Sequence, residues 1–194
     1  ANLKPRESNN FIYIVLSDHI LAAIKRLDRL RDLPWRAIPL PRKMVDSKLP
    51  EISDKVIFSM FGYGLPKTVE QILIKLQQQI VNKPYEIRLI GNMPSKLLNY
   101  RNVVGPLKPG QMSRKEMERM NAPVHYQLIL YPEDSYELSV SGSIFEAISA
   151  SKPIIHLCNP CINHYNSDHL PIGYCERDVD GITRRILDII QNNS

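Results

Sequence analysis

Alternating strands and helices over residues 55–192 predict an α/β protein built on a Rossmann-like parallel sheet with helices on both faces. Three observations carry that prediction. Short runs rich in Val and Ile recur, with segments of helical period between them, as successive βα units require. Strands that alternate with helices in this way favour a parallel sheet covered on both sides. Connections between parallel strands are right-handed almost without exception, which narrows the topology to a doubly wound sheet.

Each element has its own warrant. Residues 1–10 are polar and read as a frayed end. Residues 11–16 read as a short buried strand. Ser17 reads as the N-cap of a helix carrying Ile20, Leu21, Ile24, Leu27 and Leu30. Residues 34–50 hold Pro34, Pro39, Pro41 and Pro50 and read as a linker, with a short strand over 37–40. Residues 56–61 are a strand, and Pro66 opens a helix with Val69, Ile72, Leu73, Leu76 and Ile80 on one side. Residues 85–90 form the next strand, ended by Gly91. A short helix over 94–99, a strand over 102–104 closed by Gly105, a helix over 113–120 and a strand over 126–130 follow. The turn at 141–143 opens a helix through Ala150, and 153–157 is a strand. Residues 163–168 read as a loop, 172–175 as a last strand, and the terminal helix from about Asp178 presents Ile182, Ile186, Ile189 and Ile190.

Composition bounds the function classes. With 194 residues, 43% hydrophobic and 23% charged, the chain suits one ordinary domain, or one domain plus part of another. It is too hydrophobic for intrinsic disorder, and only 8 glycines exclude a collagen-like repeat. Its longest apolar run, 11–16, falls far short of the roughly 18 residues of a membrane span. The net charge of +5 permits an anionic ligand without demanding one, and the basic residues are too dispersed for a nucleic-acid arm. Three cysteines are too few for a disulfide scaffold and point to a reducing compartment. The chain starts at Ala1 and reaches a strand within about ten residues, so a fragment of a longer protein is expected.

Ligands of open parallel sheets bind beyond the carboxyl ends of the strands, and three segments fall at that edge. The first is Gly62-Tyr63-Gly64-Leu65-Pro66-Lys67, where two glycines let backbone approach an anion at a helix start. Lys67 replaces the third glycine of a dinucleotide fingerprint, and Asn92 stands where a nicotinamide cofactor would want an acid, so that reading is disfavoured. A plain tight turn is the alternative. The second segment is 139–147, SVSGSIFEA, where small residues at a helix start offer unpaired N–H groups to a diphosphate. Glu146, one turn inside, can accept from a sugar diol. Equally, Ser143-x-x-Glu146 fits a capping box in which Glu146 binds nothing. The third is His156-x-Cys158-x-x-Cys161-x-x-His164, with Cys175 beyond; zinc and redox readings stand behind plain packing or loop thiols. His19 and His125 have no partner visible in the sequence.

Residues 141–157, SGSIFEAISASKPIIHL, resemble the C-terminal donor-binding domain of bacterial GT-B glycosyltransferases that build surface glycans. The matching residues are Ser141, Gly142, Ser143, Phe145, Glu146, Lys152, Pro153, Ile154 and Ile155. The resemblance spans roughly 53–192 and implies one half of a GT-B fold. Residues 1–50 would then be a remnant of an N-terminal domain and its linker, and 51–194 the nucleotide-sugar-binding domain. It implies further that Glu146 binds ribose hydroxyls, that the backbone at Ser141, Gly142 and Ser143 faces a diphosphate, and that Gly62, Gly64 and Lys67 form the turn and cation beside it. Lys67 would be the catalytic group, offsetting charge on the leaving diphosphate. Gly105 and Leu107 would line the base pocket. Two departures stand out. The family pattern has a carboxylate eight residues before the ribose glutamate, whereas Glu137 lies nine before Glu146; Glu137, Tyr136 and Ser139 are the residues of that loop placed to meet the sugar. Ser151 replaces the glycine usual before Lys-Pro.

The expected function is therefore transfer of a hexosyl unit from a nucleotide-diphospho-sugar to a glycan or lipid-linked acceptor held by a missing N-terminal half. No cofactor or obligatory metal is expected, no nucleic-acid partner, and a cytoplasmic location with peripheral contact at the inner membrane face. Alternatives are a non-catalytic glycosyltransferase-like interaction module and a nucleotide-sugar epimerase of the same fold.

Overall fold

The structure, a computed structural model, describes residues 11–40, 49–52, 54–61, 65–79, 83–106, 112–166 and 171–192. Its larger part is a six-stranded parallel sheet formed by β3 (Val56–Phe61), β4 (Tyr85–Ile90), β5 (Val103–Val104), β6 (Tyr126–Ile129), β7 (Ile154–Leu157) and β8 (Gly173–Glu176). The spatial order is β5-β4-β3-β6-β7-β8, with every neighbouring pair parallel. The chain runs outward from β3 in one direction, returns, and runs outward in the other from β6. That is the doubly wound sheet the sequence predicts. Preceding it, β1 (Tyr13–Val15), α1 (Asp18–Lys25) and β2 (Trp35–Ala37) form a small βαβ unit with its own two-stranded parallel sheet.

Successive strand residues point to opposite faces, so one sheet builds two cores. On one face Val56, Phe58, Met60, Ile87 and Leu128 meet α2 (Pro66–Gln77) and α6 (Val179–Asn192) through Val69, Ile72, Leu73, Ile182 and Ile186. Burying each such aliphatic side chain contributes about 1.5–3 kcal/mol. Lys75 pairs with Asp180 at 2.8 Å across the two helices. On the other face α3 (Arg114–Asn121) covers Ile57 and Ile90, while α4 (Gly142–Ser149) and α5 (Pro160–Tyr165) cover Ile129 and Ile154.

Helix starts follow local chemistry. Pro66 fills the first turn of α2, where its missing N–H costs nothing. The Ser113 hydroxyl accepts from Glu116 N at 3.2 Å to cap α3. Asn159 Oδ1 accepts from Cys161 N and Ile162 N at 2.9 and 3.3 Å, with Pro160 next to it, to start α5. The loop expected over 163–168 is thus a helix to Tyr165, because an Asn-Pro cap opens it.

Other expectations are corrected. The strand read over 11–16 as buried spans only Tyr13–Val15, and Phe11, Ile12, Ile14 and Leu16 are exposed while Val15 is buried. Helix α1 ends at Lys25, and Leu27 and Leu30 lie in the turns beyond it. Ser17 does not cap it with its side chain; its hydroxyl sits 2.6 Å from His19 Nδ1 instead. The strand expected over 37–40 is Trp35–Ala37. Residues 1–10, the 41–48 part of the proline-rich linker and Ile80 lie outside the described residues.

The thiol reading of Cys158 also changes. Strands β7 and β8 are neighbours with His156 opposite Cys175, which brings the Cys158 and Cys175 Cα atoms to 5.5 Å and joins the two as a disulfide. Cys161 is free and buried, and burial pushes its thiol up to about 11. The Cys-x-x-Cys pair is not joined.

Two features of the far edge lead to predictions. Ser151 has φ +53°, the left-handed conformation in which a β-carbon is unwelcome. Its neighbour Lys152 is buried and donates to Val124 O at 2.5 Å and Ala122 O at 3.3 Å; burial, reinforced by Arg88, pulls its ammonium down to about 8. Replacing Ser151 with Gly should raise stability by about 0.5–1 kcal/mol, read as a higher urea midpoint.

His125 accepts from Ile57 N through Nδ1 at 2.9 Å, and its Nε2 lies 3.3 Å from Glu51 O, which ties the chain before β3 to the sheet. Burial lowers the pKa of His125, and likewise that of His156, whose Nδ1 lies 2.9 Å from Leu157 O. Both stay neutral in the fold at pH values where the unfolded chain takes up protons, so stability falls as pH drops below about 6.5. The urea midpoint should therefore decline from pH 7.5 to 5.5, and decline less in His125→Gln.

Candidate functional site

Strand order reverses between β3 and β6, and the carboxyl edge at such a reversal is where open parallel sheets bind their ligands. α3 packs against β4 and α4 against β6, with β3 lying between those strands. The first turn of α4 forms one wall. Ser143 Oγ donates to Phe61 O at the end of β3 at 3.3 Å, and Gln127 Nε2 donates from β6 to Ser143 O at 3.2 Å. These two bonds pin the helix start to both central strands.

Ser141 stands at the N-cap but caps nothing with its side chain: its hydroxyl lies 2.7 Å from the Tyr131 hydroxyl. Burial pushes that phenol up to about 12 and keeps it neutral. The α4 first turn therefore has no side-chain cap on its N–H groups. Gly142 is exposed, and an added β-carbon there would meet nothing within 4 Å. An uncapped, accessible first turn with the positive end of the helix dipole is suited to an anion.

Glu146 lies one turn inside α4, half-buried. The capping box with Ser143 does not form. Both carboxylate oxygens are instead taken by the Arg114 guanidinium, Nη1–Oε1 at 2.5 Å and Nη2–Oε2 at 3.1 Å. Arg114 opens α3 and also donates from Nε to Glu118 Oε1 at 2.8 Å. Its two acidic partners hold its pKa above the ordinary arginine value. The sequence offered no pointer to this pair, whose members are 32 residues apart.

The loop 131–141 forms the rim. Asn159 Nδ2 donates to Pro132 O at 2.7 Å, Ser135 O at 3.0 Å and Glu133 O at 3.3 Å, so one buried amide organises the whole turn while its oxygen caps α5. From the other side His19 on α1 places Nε2 at 3.2 Å from Tyr136 O and 3.1 Å from Ser139 O. Tyr136 has φ +63° and packs its ring 4.5 Å from that of Tyr131. A left-handed aromatic residue is costly, and these contacts hold it there. Glu137 pairs with Arg26 just beyond α1 at 2.5 Å. The residues missed in sequence are Arg114, Asn159, His19 and Arg26; only Asn159 had a local signal, the Asn-Pro helix start.

Of the expected site residues, Ser141, Gly142, Ser143 and Glu146 come together on α4, and Ser139 and Glu137 lie on the rim, Glu137 turned to α1. Lys67 is exposed in the first turn of α2, which follows β3. Gly62, Gly64 and Leu107 lie outside the described residues. At Gly105 an added β-carbon would come within 2.4 Å of the Leu98 side chain. Among the described residues no cluster of three or more His, Cys, Asp or Glu side chains is placed to hold a metal ion, and no helix is long and apolar enough to cross a membrane.

No protein-family model matches this sequence, and no curated protein matches it. Solved structures do. The lipopolysaccharide outer core galactosyltransferase WaaB in its apo form aligns with 92% of this chain and 53% of its own, with TM-score 0.62 and 14% identity. TarM aligns with 93% of this chain and 36% of its own, with TM-score 0.55 and 16% identity. The chain thus spans about half the length of the first. At these identities the likeness is one of fold: the chain has the architecture of one Rossmann-like half of a GT-B fold.

Because its amide gathers three rim carbonyls, Asn159→Ala should cost about 2 kcal/mol by removing their donor and uncapping α5. Asn159→Asp, which keeps the cap and loses the donors, should fall between the two in urea unfolding.

Proposed function

We propose that the chain is the donor-binding half of a glycosyltransferase that takes a nucleotide-diphospho-sugar. The observation that carries this reading is the placement of Glu146 one turn inside an uncapped helix start, at the strand-order reversal of a GT-B-like sheet. The first-turn N–H groups at Gly142 and Ser143 would receive the diphosphate, and Glu146 would accept from the ribose diol. Lys67, at the start of α2 on the neighbouring strand, would offset negative charge on the departing diphosphate, a role that needs no metal.

Transfer needs an acceptor brought to the same crevice. The β1–α1–β2 unit supports the reading that a second half supplies it. Parallel sheets are covered on both faces, yet Ile14 is exposed on this small one, with Phe11, Ile12 and Ile38 exposed at its ends. A complementary α/β half would cover them and carry a glycan or lipid-linked acceptor. The hexose, the base and the surface-glycan acceptor belong to this proposal.

One observation favours a second reading, a non-catalytic glycosyltransferase-like module. Glu137, the nearest acid to the family's first carboxylate, is one residue out of register and is paired with Arg26.

Ligand-observed NMR with UDP, GDP, dTDP and NAD separates the two. One nucleoside diphosphate is expected to bind saturably. Glu146→Gln should weaken it by about tenfold or more, the loss of charged hydrogen bonds worth about 1.5–3 kcal/mol. Absence of nucleotide binding would favour the non-catalytic module, and binding unchanged in Glu146→Gln would remove Glu146 from the site.

A further inference from the structure

Arg114 is in an unfavourable place for a cation. It is the first residue of α3, where the helix dipole favours negative charge, and Ser113 and Glu116 already supply a good start. What it does there is span the crevice. Its fork closes on Glu146 of α4, while its Nε stays on Glu118 of its own helix. Because α3 sits on β4 and α4 on β6, the fork bridges the two walls above β3.

The lone-pair chemistry of that bridge is exclusive. A guanidinium fork uses the inward-facing lone pairs of both carboxylate oxygens. A cis-diol that donates to both oxygens needs the same pairs, and the outward-facing pairs diverge too far for adjacent hydroxyls to reach both. Fork and diol therefore compete for Glu146. The competition is readily reversed, because Arg114 is mostly exposed and Glu146 is one-third exposed. Once displaced, the guanidinium retains its bond to Glu118, and its two Nη groups are left facing the crevice without an acceptor.

We propose that Arg114 is a ligand-contacting specificity residue that exchanges Glu146 for the phosphate nearest the ribose, so that a diol gains full access to Glu146 only when it arrives with a phosphate. This rests on the reading of the crevice as a nucleoside-diphosphate site. The guanidinium blocks an uncharged nucleoside, which cannot repay the lost ion pair, and assists a diphosphate, which can. The site would thus distinguish a charged nucleotide from the free nucleoside by one side chain with two alternative partners.

The test compares uridine with UDP, guanosine with GDP and adenosine with ADP by calorimetry on the wild-type chain, Arg114→Gln and Arg114→Lys. For the pair whose diphosphate binds, Arg114→Gln should bind the nucleoside about fivefold more tightly and the diphosphate about tenfold more weakly. The 2′-deoxynucleoside, which lacks the diol, should not gain. Arg114→Lys keeps the charge and loses the fork, so it should match Gln for the nucleoside and lie between Gln and wild type for the diphosphate. Shifts of the same sign for both ligands, no shift, or an equal gain by the deoxynucleoside would overturn the exchange and leave the pair structural. If wild-type protein binds none of the diphosphates, the donor-site reading fails as well, and that failure is visible before any variant is made.

Discussion

The candidate site follows from one constraint: a parallel sheet whose connections leave two adjacent strands in opposite directions leaves the space between their carboxyl ends uncovered. β3 has β4 on one side and β6 on the other, and the helices that follow β3 and β6, α2 and α4, lie on opposite faces of the sheet. The gap is a consequence of right-handed crossovers on each side. What this sequence adds is fixation of the gap's walls. Ser143 reaches Phe61 O and Gln127 reaches Ser143 O, so the first turn of α4 is tied to both strands that border the reversal. Residues on that turn inherit the rigidity of the sheet, which a binding group on a free loop would lack.

The rim is held differently. Loop 131–141 has little regular structure, and its order comes from side chains remote in sequence. Asn159 gathers three of its carbonyls from the α5 side, and His19 approaches two more from α1. Val140 packs with Val15, Ile20 and Ile24, so the small βαβ unit contributes a hydrophobic seat as well. Arg26 then draws Glu137 toward α1. The out-of-register acid and the unusual backbone at Tyr136 are thus parts of one arrangement: the rim is shaped to dock against the small βαβ unit.

Elements with long, periodic apolar patterns were legible in the sequence. Residues 56–61 and 85–90 are strands at the expected bounds, and the α2, α4 and α6 helices lie where their spacing put them. Burial of the sheet on both faces makes those patterns strong. The misreadings share a different cause. Residues 11–16 are apolar enough for a core strand, but among the described residues only one face of the two-stranded sheet has a helix against it. The capping box is a local pattern with a local answer, and it lost to an arginine 32 residues away whose fork offers two charged bonds in place of one. The Cys158–Cys175 bond likewise needs the pairing of β7 with β8, which spacing does not reveal. Partners that depend on tertiary neighbours leave no periodic trace.

If the crevice takes a diphosphate, the Arg114–Glu146 pair would also resolve an electrostatic conflict in the site. A helix start suited to an anion has a carboxylate one turn above it, and that carboxylate would repel a diphosphate approaching the uncapped N–H groups. With the guanidinium across Glu146, the wall presents a neutralised pair to the incoming charge. The net charge of +5 is spread along the chain and does not supply this locally. On the proposed reading, fixed backbone donors and a movable cation would divide the work: the helix start would attract at no reorganisation cost, while Arg114 would mask the carboxylate until a diol took its place. That division explains why a strongly paired carboxylate, which by itself would argue for a purely structural role, is compatible with ligand recognition at the same atoms.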